Sequence, residues 1–300
     1  QVLDNIIADL ESVKGESMVD YGNTADNKGR ITRKAVYSLL ADVYLWRASY
    51  KAGGNQPFKK VTLSSNYKGT ATEEELASRH EEYSTTAEAD YQKCVEYCDL
   101  IIEAAKKEKI DYINKNGLNP GGGEIKLGLD ELLETNDMSS NSMAIKSYGA
   151  YKNIFGTGNS DESIFELQVD GITYSNSMIT SCFWNVSDSK AGELTGAKAL
   201  LEGIETTPNT TSPSSIFTKT DYRRWETLRF DQIGQTDFDI TKYINRNVDQ
   251  SVGTTSIYLT DNSASNIKVN DNKRDKSNMD ANWIVYRLSD IYLMKAEAMT

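Results

Sequence analysis

The sequence holds one histidine (His80), three cysteines and four prolines, and no apolar run long enough for a membrane span or a signal core. A lone histidine excludes every metal site built on several imidazoles, and a Ser-His-Asp triad would have to use it. His80 lies among Glu73, Glu74, Glu75, Arg79, Glu81 and Glu82, a setting that reads as a solvated charged face. Cys94 and Cys98 are four apart in a helical pattern, so both thiols share one face. With no second ligand pair to make a zinc site, they read as small buried hydrophobes. Positive charge is also scarce. The 33 Lys and Arg stand against 44 Asp and Glu, a net charge of −11, which argues against nucleic acid because a polyanion needs clustered cations.

Hydrophobic residues make up 38% of the chain, below the usual share for compact domains, while Asn, Ser, Thr, Asp and Gly are plentiful. That balance predicts a core wrapped in long polar loops. Four segments carry helical periodicity. The first runs from Val2 to about Val13 through Leu3, Ile6, Ile7 and Leu10. The second opens on Thr32, a capping residue, and repeats through Ala35, Val36, Leu39, Leu40, Val43 and Tyr44 until Gly53-Gly54. The third spans Thr86 to about Lys107, and the fourth runs from about Ile284 to the end with Leu288, Ile291, Tyr292 and Met294. Small residues (Ala35, Ala41, Ala48, Ala296, Ala298) are expected to let helices approach, and Tyr37, Tyr44, Trp46, Tyr286 and Tyr292 to fill the gaps between them. This alternation suits helix pairs of the tetratricopeptide type without their strict 34-residue period. Plain antiparallel helices suit it equally.

Between 111 and 281 the texture turns polar, with one clear strand, Ser163-Ile164-Phe165-Glu166-Leu167-Gln168-Val169. The stretch 261–280 is polar enough to predict a mobile surface loop. Gly121-Gly122-Gly123 lacks the Gly-Lys-Ser/Thr of a phosphate cradle and reads as a loop. The acidic clusters read as solvated helix faces rather than paired catalytic carboxylates. Asp271, Asn272 and Asp275 lack the glycine and terminal glutamate of a calcium loop. No catalytic residue, metal site or cofactor is therefore expected.

The aromatic stretch 174–184 (YSNSMITSCFW) carries more chemistry, in a chain with 17 Tyr and 4 Trp. A sugar ring offers an apolar C–H face and a rim of hydroxyls, best met by an aromatic platform beside planar hydrogen-bonding groups. Trp184, Phe183 and Tyr174 are the candidate platforms and Asn185 the candidate hydrogen-bonding neighbour, with Asn176 and Asp188 close by. Burial of Trp184 in the core is the competing reading. A second cluster, Tyr222, Arg223 and Trp225, reads more readily as scaffold.

Several fragments also resemble one family in order. Gly29-Arg30-Ile31-Thr32-Arg33-Lys34-Ala35 running into Leu39-Leu40-Ala41-Asp42-Val43-Tyr44-Leu45 resembles a scaffold helix of the SusD/RagB family. Asp90-Tyr91-Gln92-Lys93-Cys94-Val95-Glu96-Tyr97-Cys98 resembles its next repeat helix. Asp161-Glu162-Ser163-Ile164-Phe165-Glu166-Leu167 is similar to its strand motif, Asp221-Tyr222-Arg223 to its D-x-R element, and Ile240-Thr241-Lys242-Tyr243 to its K-Y strand. The segment from Ile284 through Arg287, Asp290, Leu293-Met294 and Ala296-Glu297-Ala298 resembles its last helix motif, with Arg287, Asp290 and Glu297 in structural roles.

The resemblance implies a mostly α fold: a tetratricopeptide-like helical-repeat scaffold carrying a long loop-rich face with short strands. On that reading, residues 1–300 form a single SusD-like domain, incomplete at both ends. Its scaffold would be 1–110 and 282–300, and its variable, ligand-facing region 111–281. The resemblance further implies a non-enzymatic, surface-exposed lipoprotein of the outer membrane, held by an N-terminal lipid anchor outside this chain. Such a protein captures oligosaccharides or polysaccharides for import through a SusC-like TonB-dependent transporter. The alternatives are a peptide-capturing relative, a glycoside hydrolase with a helical body, and a transporter partner with no ligand site of its own.

Overall fold

A computed structural model of the chain describes residues 2–21, 28–53, 73–134, 150–183, 192–197, 227, 237–252, 267–275 and 277–300. In chain order its elements are α1 (Val2–Val13), α2 (Arg33–Gly53), α3 (Glu73–Lys115), α4 (Leu129–Leu132), a π-helix (Lys152–Thr157), β1 (Ser163–Leu167), α5 (Ser177–Phe183), β2 (Thr195–Ala197), β3 (Asp237–Asp239), β4 (Asn245–Val252), β5 (Ile267–Lys273), β6 (Trp283–Arg287) and α6 (Leu288–Ala298). The fold is mostly helical, as expected. Two compact units divide it: Gln1–Leu132 with Val285–Thr300, and Leu133–Ile284.

In the first unit α2 lies at the centre, packed along α3 and touching α1 and α6. Helix α2 is buried or half-buried along most of its length, its polar residues Lys34, Asp42, Arg47 and Lys51 being met by partners on other elements. The Thr32 hydroxyl accepts the Ala35 N–H at 3.4 Å, the expected N-cap. Ala41 and Ala48 are fully buried, letting neighbours approach closely, and Tyr44 stacks on Tyr97 with ring centroids 6.0 Å apart. Two expectations fail here. Trp46 fills no gap: Leu39, Trp46 and Tyr50 lie seven and four residues apart and form the one exposed stripe of α2. On α6, Ala296 is exposed and not at a helix contact.

Polar bonds tie these helices together. The Glu11 carboxylate accepts from the hydroxyls of Tyr44 (3.0 Å) and Tyr97 (2.5 Å) and from the Lys14 ammonium. Burial, then the bond to Glu11, pushes the Tyr97 phenol up to about 12. Lys34, itself buried, reaches Glu108 at 2.6 Å. Cys94 and Cys98 are free thiols with no exposed surface, matching the reading as buried hydrophobes. The Cys94 thiol is held far above its ordinary pKa by its bond to Cys98 and by burial, so it is inert as a nucleophile.

Helix α3 runs well beyond the predicted span at both ends, taking in the charged stretch from Glu73. The fourth predicted helix starts four residues late. Trp283-Ile284-Val285-Tyr286 is aromatic and β-branched and stays extended as β6. Arg287 then caps α6, its N–H bonded to the Asp290 carboxylate at 3.1 Å. Tyr286 donates to Asp42 at 2.7 Å.

The second unit is built on a small core of Ile179, Tyr243, Ile244, Met279 and Ala281, with Phe155, Phe183 and Ile284 packed against it. Strands β4 and β5 form an antiparallel ribbon with a bulge between Asn245 and Asn247, and β2 pairs with β3. The prediction of a surface loop over 261–280 is overturned for its described part. That part contains β5, the fully buried Met279 and the buried Arg274. Arg274 bonds to the carbonyls of Tyr243 and Gly156 and to the Asp280 carboxylate. Glu166 of β1 has no exposed surface and accepts from the Asn159 N–H, the Ser163 hydroxyl and the Asn282 amide. The motif residue is thus a structural acceptor.

Candidate functional site

The strand β1 ends in a tight loop because Asp170-Gly171 follows it, a turn-forming dipeptide. One carboxylate oxygen of Asp170 accepts three backbone N–H groups, from Ile172 (2.9 Å), Thr173 (2.7 Å) and Tyr174 (2.9 Å). Gly171 has a φ of +74°, and its N–H donates to the Tyr174 carbonyl at 2.9 Å. A Cβ at Gly171 would lie 2.8 Å from the Asn278 carbonyl oxygen, so glycine is needed for both conformation and space. The bonds from the backbone N–H groups, that of Tyr174 foremost, hold the Asp170 carboxyl down at about 2.

The loop is pinned to segment 278–281. The Asn176 N–H donates to the Met279 carbonyl (2.9 Å), its side-chain amide to the Ala281 carbonyl (3.0 Å), and the Met279 N–H to the Ser175 hydroxyl (3.1 Å). The Asn176 side-chain oxygen also accepts the Ile179 N–H at 3.4 Å, capping α5. Its polar groups are therefore committed to holding the loop. The result is a preorganised turn that displays Tyr174, 71% exposed, beside Ile172, 90% exposed, and Met178, 64% exposed.

The predicted site residues fare unequally. Tyr174 stands on the surface with its ring available. Phe183, the last residue of α5, is half-buried and packs against the core cluster, a supporting position. Gly192 returns the chain against α5, where a Cβ would meet the Cys182 carbonyl oxygen at 2.3 Å. Trp184, Asn185 and Asp188 lie outside the described residues, as do Tyr222, Arg223 and Trp225. Sequence reasoning missed Asp170, Ile172 and Met178. The Asp-Gly pair was the available signal for the first two.

No group of three or more His, Cys, Asp or Glu positioned to hold a metal ion occurs among the described residues. No described helix is long and apolar enough to cross a membrane.

Asp170 gives a direct test of the loop. Its folded pKa is depressed, so its contribution is complete above the ordinary aspartate range and is lost as pH falls through about 2. The Ile172, Thr173 and Tyr174 amides should therefore keep their NMR shifts from pH 7 to pH 4. Asp170→Ala should speed hydrogen exchange at those three amides and leave the core amides unchanged. Equal exchange in both proteins would show that the carboxylate does not hold the turn.

Comparison with curated proteins and with solved structures gave no match. Residues 161–300 match the family model described as the SusD family, a segment that carries β1, the Asp170 loop, α5, the buried Arg274 and α6.

Proposed function

We propose that the protein captures oligosaccharides at the cell surface and hands them to a SusC-like TonB-dependent transporter, without transforming them. The match of residues 161–300 to the SusD family model supports the coarser reading of nutrient binding at the cell surface. The observation that carries the finer reading is the Tyr174 ring, exposed on a turn fixed by three bonds to Asp170. An aromatic face on a rigid support meets the C–H face of a sugar with little ordering entropy lost. Phe183 packs against the core cluster, and Trp184 and Asn185, next in the chain, are proposed to complete the site. Anchoring in the outer membrane through an N-terminal lipid belongs to the same proposal.

Calorimetric titration of the purified protein with oligosaccharides tests it. Tyr174→Ala should weaken binding by about 1–3 kcal/mol, taking for a sugar the range found for one nucleic-acid base stacked on an aromatic side chain. No new reducing ends should appear on prolonged incubation. Release of reducing ends, or affinity unchanged by Tyr174→Ala in a folded protein, would sink the reading.

A further inference from the structure

We infer that Asn116 is a site of covalent modification, where the side-chain amide is lost through a succinimide formed with Gly117. The capped end of α3 sets the rate. Asn116-Gly117 is the one Asn-Gly pair in the chain, and both residues are exposed.

The reaction needs no reagent but water. The Gly117 backbone nitrogen attacks Asn116 Cγ, the Cγ–Nδ2 bond breaks, and ammonia leaves with the proton of that nitrogen. Water then opens the five-membered imide at one of its two carbonyls. One opening gives aspartate. The other gives isoaspartate, in which the main chain runs through Cβ and Cγ. Glycine at the second position favours the attack, because no side chain shields its nitrogen.

The folded end of α3 holds these atoms apart. The Leu118 N–H donates to the Ile113 carbonyl at 3.0 Å and the Gly117 N–H to the Asn114 carbonyl at 3.2 Å. Gly117 has a φ of +65°, so these bonds form a Schellman cap closed by a left-handed glycine. The attacking N–H is therefore occupied. The Asn116 amide is turned back along the helix and donates to the Tyr112 carbonyl at 2.8 Å. Attack waits for the cap to open, and opening costs little, since none of residues 111–118 is buried. The ion pair from Glu108 to the buried Lys34, at 2.6 Å, limits how far the loosening spreads.

The product does not close the cap again. A carboxylate at 116 meets the negative end of the helix and has no proton to give the Tyr112 carbonyl. In isoaspartate an extra main-chain methylene also shifts the Gly117 and Leu118 N–H groups out of register. The chain's one Asp-Gly pair, Asp170-Gly171, is the contrast. Its carboxyl is ionised and bound by three N–H groups, and a carboxylate is a poor electrophile.

The test is incubation of the full chain in mildly alkaline buffer, followed by peptide mapping with mass spectrometry and by labelling with an isoaspartyl methyltransferase. A synthetic peptide of residues 111–122 is the uncapped reference. Asn116 should convert in the folded protein, about fivefold or more slower than in the peptide, the factor set by a hydrogen bond that must first break. Leu118→Pro, an exposed change that removes the N–H closing the cap, should bring the rate toward that of its own peptide. In the converted protein, hydrogen exchange should quicken at the Asn116, Gly117 and Leu118 amides and stay unchanged before Glu108. Conversion at the peptide's rate, or a Leu118→Pro rate equal to that of wild type, overturns the gating by the cap. Asn116 still intact long after the peptide is fully converted overturns the site itself.

Discussion

Arg274→Ala is expected to destabilise the second unit by about 3–5 kcal/mol, the range for breaking a buried, hydrogen-bonded ion pair. Arg274 is 4% exposed and serves three acceptors at once: the Asp280 carboxylate at 2.7 Å, the Tyr243 carbonyl at 2.6 Å and the Gly156 carbonyl. Burial pulls its pKa below the ordinary arginine value, so the cation is held there at a cost that the bonds offset. The ionic part of the loss is the smaller one, because the Asp280 side chain keeps about a quarter of its surface in water and retains Arg246. The two carbonyls decide the outcome. Each buried acceptor left without a donor costs about 1–3 kcal/mol, and one of them belongs to Tyr243 in its left-handed conformation. Lysine cannot replace the forked guanidinium, so Arg274→Lys should recover less than half of the loss. Urea unfolding followed by tryptophan fluorescence checks both variants. A midpoint shared by Arg274→Ala and wild type would mean that other contacts hold Tyr243 and Gly156 in place.

Arg274 also marks where sequence reading ends. Its neighbourhood, NDNKRDKSNMD, has the composition of an exposed loop, and nothing in the pattern separates this arginine from Lys273 or Lys276. Burial here depends on acceptors contributed from residues 156 and 243, which are remote in sequence. The helices of the first unit were legible for the opposite reason. In α1 and α2 the apolar repeat is local, and Thr32 announces the start of α2 through a bond three residues away. The same local logic misled at Ile284, whose spacing to Leu288 and Ile291 is helical although the aromatic and β-branched run keeps it in a strand. Trp46 misled likewise. A large apolar residue on a buried helix was assigned to the core, yet it falls on the single line of α2 that the neighbouring helices leave uncovered.

The candidate site was legible in part. Tyr174 stood out because an aromatic followed a strand in a polar region, and the structure exposes it. Phe183 looked equivalent in sequence, but as the last residue of α5 it packs against the core cluster, whereas Tyr174 lies in the loop before that helix. Trp283 lay inside a segment that read as helix, and only the structure shows it at the start of a strand and stacked on Tyr243.

In the first unit the largest effect is expected from Asp90→Ala, again about 3–5 kcal/mol and toward the lower end. Asp90, 4% exposed on α3, accepts a two-pronged bond from Arg47 of α2 (2.8 and 2.6 Å) and a third bond from Lys51 (2.6 Å). Removing the carboxylate strands two cations at the α2–α3 contact. Their side chains keep about a fifth of their surface in water, which moderates the penalty. Asp4 provides the internal control. It bonds to the same guanidinium at 2.8 Å, but its side chain is 56% exposed, so Asp4→Ala should cost under about 1 kcal/mol. The two carboxylates thus separate burial from charge pairing on a single arginine. Removing both partners should be milder than the single losses suggest, since Asp90→Leu with Arg47→Met leaves no buried acceptor or donor of that pair unmatched. Equal melting points for Asp90→Ala and Asp4→Ala would show that the guanidinium finds water as readily as it finds Asp90, and that apolar packing between α2 and α3 sets their register alone.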